Sequence, residues 1–130
     1  MPSSSSSSGH GPAPLGIALI VEDNVMIALD VEAQLEDLGA EGCVIAGTVE
    51  NALLALDARD IAFAIVDVDL GAETSEEVAA TLIARGLPFV FVTGYGDPVP
   101  MMASFPDVPV LIKPFKEEAL RATLVQIGVG

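Results

Sequence analysis

The chain is poor in basic residues. It has 5 Lys and Arg among 130 residues, against 19 Asp and Glu, for a formal net charge of −14. A nucleic-acid surface neutralises phosphates with clustered Lys and Arg, so this balance excludes nucleic acid as a partner. An anionic membrane surface is disfavoured for the same reason. Cysteine is nearly absent: the lone Cys43 has no partner for an internal disulfide, which fits a reducing cytoplasm. Long apolar runs are missing too, because charged residues or glycines interrupt each one well short of a membrane span. The N-terminus lacks the basic start and apolar middle of a secretory signal. Cytoplasmic localisation is the expectation.

Apolar residues nevertheless make up 52% of the chain, enough to bury a core in one domain. Met1 to Pro14 is a Ser run followed by Gly, His and Pro, with nothing to bury. Residues 1–15 are expected to form a disordered tail in which His10 is solvated, and residues 16–130 the domain.

The most informative stretch is Asp60–Leu70. Its continuous apolar run, Ile61 to Val66, leads into Asp67 and Asp69. Such a run predicts a strand covered on both faces, as in a parallel sheet. Open α/β sheets bind ligands at the carboxyl ends of their strands, where these two carboxylates fall.

Other elements flank it. Ile17–Val21 reads as a first strand, followed by a helix to about Leu38 with Ala28, Val31, Leu35 and Leu38 on one face. Gly42–Ala46 reads as a second strand, with Cys43 as a small buried filler. Thr48 can cap a helix through about Ala58. Thr74-Ser75-Glu76-Glu77 has the pattern of a capping box opening a helix to Arg85. Pro88–Val92 is a fourth strand ending at Thr93. Pro98, Pro100 and Pro106 leave room only for a short, irregular fourth helix. Val108–Ile112 is a fifth strand, interrupted by Pro109, and a last helix runs from about Lys116 to Ile127. Alternating strands and helices predict a doubly wound parallel sheet with all strand-exit loops on one edge.

The exits gather a distinctive set. The first strand delivers Glu22 and Asp23, the third Asp67 and Asp69, the fourth Thr93, and the fifth Lys113. Carboxylates crowded in one crevice repel unless a positive charge sits among them. Hard oxygen donors suit Mg²⁺, which takes one or two carboxylates together with phosphate oxygens. A lysine, a hydroxyl and a divalent ion around one carboxylate can hold a phosphoryl group, and that carboxylate can be its nucleophile.

In these residues the chain resembles the receiver domains of two-component response regulators, over about Gly16 to Gly130. The resemblance implies a flavodoxin-like fold with strand order 2-1-3-4-5 and helices on both faces. It implies that Asp67 accepts a phosphoryl group from a histidine kinase or phosphotransfer protein. Glu22 and Asp23 match the acidic pair, Thr93 the switch hydroxyl and Lys113 the lysine of the Lys-Pro motif. Together with the crevice, it implies Mg²⁺ held by Asp23, Asp67 and the Asp69 backbone carbonyl, with Glu22 acting through water. Thr93 and the Gly94 N–H would then bind the transferred group, while Asp69 and Tyr95 tune its hydrolysis.

Pro88–Gly96 is also similar to the Phe-Ala-Thr-Gly-Tyr signature of a receiver subfamily common in alphaproteobacteria, with Val92 in place of Ala. Those proteins are typically single receiver domains, and a stand-alone phosphoacceptor, not a turnover enzyme, is the expectation here. The sequence departs from most receivers at Val110, where an aromatic switch residue is usual. Order and disorder of the Gly94–Phe105 stretch is the expected substitute. Two rivals stand beside this reading. Asp67-Val-Asp69 resembles the Asp-x-Asp of haloacid-dehalogenase phosphatases, and a receiver that no longer accepts phosphate could act purely as a binding module.

Overall fold

The protein is described by a computed structural model over residues 15–71, 73–94 and 100–129. Residues 1–14 of the tail expected over 1–15, and Tyr95, lie outside the described residues.

Strand β1 (Gly16–Val21) leads to α1 (Val25–Leu38). Asn24 is the N-cap of α1: its side chain accepts the Ile27 N–H at 3.2 Å. Gly39, at φ 111°, ends the helix in the left-handed conformation that glycine adopts without steric cost. Strand β2 (Ala40–Ala46) is followed by α2 (Val49–Ala58), where the Thr48 side chain accepts the Asn51 N–H at 3.1 Å. Then come β3 (Ile61–Asp67), α3 (Glu76–Ala84), β4 (Phe89–Thr93), a 3₁₀ turn (Pro100–Ser104), β5 (Val110–Ile112) and α4 (Glu117–Gln126).

The five strands form one parallel sheet in the order β2-β1-β3-β4-β5. The order reverses between β1 and β3, so the crossovers put helices on both faces. Side-chain alternation splits the core accordingly. Ala18, Ile20, Phe63, Ile65, Val90 and Val92 pack with α1 and α4. Leu19, Val21, Ala64, Val66, Phe89 and Phe91 pack with α2, α3 and Met101 of the 3₁₀ turn. Among the described residues, no helix is long and apolar enough to cross a membrane.

Three local expectations are corrected. The capping box of α3 does not form: Ser75 sits at the N-cap position but makes no side-chain cap bond. Its backbone (φ −92°, ψ 19°) is not the extended conformation that turns an N-cap oxygen toward the helix amides, and its hydroxyl is buried without a hydrogen-bond partner among the described residues. Strand β5 begins at Val110 rather than Val108, because Val108 N–H turns back to the Phe105 carbonyl and Pro109 has no N–H to offer. Cys43 is half-buried rather than fully buried, packed against the α1 side of the core. Burial, with Glu32 and Glu36 nearby, pushes its thiol up to about 11, so it stays protonated and fits a packing role. The short fourth helix appears as the 3₁₀ turn, as the prolines dictate.

Candidate functional site

Strand register levels the exits. Val21 pairs with Val66, Asp67 with Val92, and Thr93 with Ile112, so the residues that follow emerge side by side. The Lys113 N–H extends the last ladder by donating to the Thr93 carbonyl at 2.9 Å. A cis peptide bond joins Lys113 to Pro114.

Asp67 is buried at the end of β3 and is gripped at both oxygens. Lys113 Nζ donates to its Oδ2 at 2.7 Å, and the Asp69 backbone N–H donates to its Oδ1 at 2.9 Å. Glu22 is also buried: its Oε1 accepts from Lys113 Nζ at 3.1 Å and its Oε2 from the Asn24 N–H at 3.0 Å. Asp23 is exposed and completes the group; Glu22, Asp23 and Asp67 place carboxylate oxygens within 4.8 Å of one another.

The electrostatics follow from that crowding. Burial, reinforced by a hydrogen bond shared with Asp67 and by its charge, pushes the Glu22 carboxyl up to about 7. The Asn24 N–H and Lys113 pull the other way and do not offset it. Burial works against the charged form of Lys113, but its hydrogen bonds to Asp67 and Glu22 outweigh that and raise its pKa. One ammonium faces three carboxylates, and the surplus of hard negative oxygen suits a small divalent cation.

Most of the expected residues meet here. Thr93 is buried at the end of β4 and Gly94 follows it, exposed. Asp69 does not join the trio with its side chain: it is exposed, and its Oδ1 accepts the Gly71 N–H at 3.0 Å. The four carboxylates expected in one crevice are therefore three, with Asp69 closing the turn behind Asp67. Val110 opens β5 at the sheet edge, 40% exposed.

Sequence reasoning missed three supports. Asn24 both caps α1 and fixes Glu22, which its cap-type identity ahead of an apolar helix signals only in part. Gly71, at φ 81°, lies so close to Asp23 that a Cβ there would sit 3.4 Å from its Oδ2. Glu73, in the turn after β3, accepts the Val49 N–H at 2.8 Å, a contact no local pattern announces.

A five-stranded parallel sheet reversing at β1/β3, with an acid-lysine crevice over the reversal, defines a CheY-like α/β domain. Comparison with solved structures agrees. SdrG from Sphingomonas melonis Fr1 is 39% identical, with a TM-score of 0.73 over 91% of this chain and 100% of that one. A response regulator receiver domain (CheY-like) from Methylobacillus flagellatus is 26% identical, with a TM-score of 0.73 over 86% and 98% of the two chains. The chemotaxis protein CheY4 of Vibrio cholerae is 25% identical, with a TM-score of 0.71 over 86% and 98%. No family model and no curated protein matches the chain. The chain belongs to the response regulator receiver family.

Proposed function

We propose that this receiver accepts a phosphoryl group on Asp67 from the phosphohistidine of a histidine kinase or phosphotransfer protein, in a Mg²⁺-dependent reaction. One observation carries the reading: the buried Asp67 carboxylate is oriented by the Asp69 N–H and paired with Lys113 beside two further acids. An Asp67 oxygen attacks phosphorus, the N–P bond to the donor imidazole breaks, and an acyl phosphate forms. Lys113 stays charged and faces the oxygens that gain negative charge. Water later attacks the same phosphorus and returns carboxylate and inorganic phosphate.

Asp23, Asp67 and the Asp69 carbonyl would hold the ion. Glu22, held between Lys113 Nζ and the Asn24 N–H, would act through water. When bound, Mg²⁺ supplies the positive charge that offsets the carboxylates and the incoming phosphoryl oxygens. Thr93 and the Gly94 N–H receive the transferred group, and the Thr93–Phe105 stretch changes conformation in response. The Phe91-Val92-Thr93-Gly94-Tyr95 run supports membership of the Phe-Ala-Thr-Gly-Tyr subfamily. A cytoplasmic setting follows from dependence on a histidine kinase.

The test is phosphotransfer from a labelled kinase, with and without Mg²⁺. Stoichiometric, base-labile label on the wild type and none on Asp67→Asn is the expected outcome. Label that persists on Asp67→Asn, or steady turnover of a phosphate ester, removes Asp67 from this role. An unchanged spectrum on adding beryllofluoride and Mg²⁺ would point to the phosphate-inert binding module instead.

A further inference from the structure

Away from the crevice, α2 and α3 pack on the same face of the sheet, and a solvent-open groove runs between them. Two adjoining hollows of ≈ 470 and ≈ 360 Å³ form it, sharing Val49, Glu73 and Glu77. Its floor is apolar: Val49 and Leu53 are half-buried, and Leu54 is 58% exposed. Scattered exposed leucines are ordinary, but this one borders a concavity lined by other apolar side chains. The hydrogen bond from the Val49 N–H to Glu73 braces one wall, so the groove is shaped before anything binds.

The rim carries one sign of charge. Glu50 and Asp57 stand on α2, while Glu73 and Glu77 stand opposite. The nearby cation, Arg85, is committed to the Asp57 carboxylate and the Leu56 carbonyl.

We propose that this groove docks a basic amphipathic segment of a partner protein, one presenting a bulky apolar side chain between Lys or Arg residues. Burying Leu54 and Leu53 supplies the attraction, and the acidic rim selects the flanking charge. A second copy of the chain is a poor occupant, since each copy carries a net charge of −14 and 5 basic residues in all. The proposal does not depend on phosphorylation of Asp67.

The probe is a short synthetic helical peptide with Leu and Lys on one face, titrated into isotope-labelled full-length protein and followed by NMR. Saturable shifts confined to Val49, Leu53, Leu54 and Ala80 are expected. Leu54→Ser and Glu77→Lys, both at exposed positions, should each raise Kd at least about tenfold, as should replacing the peptide Leu by Ser. Met26→Ser, removing a still more exposed side chain on α1, should leave Kd unchanged. Melting curves confirm that each variant folds, and Leu54→Ala replaces any that does not. Absent shifts, shifts spread over the whole acidic surface, or equal binding of the Ser peptide would overturn the proposal. So would a peptide-free dimer, seen by sedimentation, that is broken by Leu54→Ser.

Discussion

At the scale of single residues, Glu22 links charge to stability. Its carboxyl ionises near 4.5 in water and near 7 in the fold. Between those values the folded chain keeps a proton that the unfolded chain has lost. Stability from this group is therefore full below pH 4.5 and is lost as pH rises toward 7, by on the order of 3 kcal/mol at most. In EDTA the wild type should melt at a lower temperature at pH 7.5 than at pH 5, and Glu22→Gln should flatten that slope. Mg²⁺ affinity should run the opposite way, rising with pH through about 7 as the proton leaves. Calorimetric titration at three pH values checks it; an affinity independent of pH would separate Glu22 from the metal site. Gly71→Ala tests the closest approach in the site. It puts a methyl 3.4 Å from Asp23 Oδ2 on a backbone at φ 81°, so Mg²⁺ binding should weaken together with some loss of stability.

At the scale of elements, β4 is buried along its whole length, and Phe91 is its keystone. Its ring meets Phe89 and Phe105 edge-on, with centroids 5.5 and 5.9 Å away. Phe91→Ala should cost about 3–5 kcal/mol in urea denaturation, a large share of the stability of a domain this size. It should also loosen Thr93, two residues on, because the same strand positions both. Elements of this kind were legible in the sequence. The unbroken run Ile61–Val66 read as a doubly covered strand, and the cap at Thr48 marked where α2 starts. The acid trio was legible because strand exits share one edge. What stayed hidden depends on particular contacts, one of them between distant segments. Asp69 folds back on Gly71, Ser75 is sealed into the interior instead of capping, and Glu73 crosses to Val49. None of these has a local period to betray it.

At the scale of the whole molecule, the net charge of −14 makes the compact state repel itself. Added NaCl should raise the melting temperature by screening, over the range in which the Debye length shortens to a few ångströms. Mg²⁺ should raise it further than NaCl of equal ionic strength, because a bound ion stabilises only the folded chain. Equal curves at matched ionic strength would leave no specific ion site. The same charge works against binding of polyanions over the whole surface.

The reach of Lys113 has a last consequence. Strand β5 is an edge of three residues, and the lysine that follows it passes across β4 to the buried carboxylate of β3. An edge so short is expected to open more often than the central strands, and the Lys113–Asp67 contact to restrain it. Lys113→Met should therefore speed deuterium uptake at the amides of residues 111–113 while those of β1 and β3 exchange as slowly as before. A phosphoryl group on Asp67, as proposed above, would rearrange the same anchor, so the exchange clock of an outer strand would report the chemical state of an inner one.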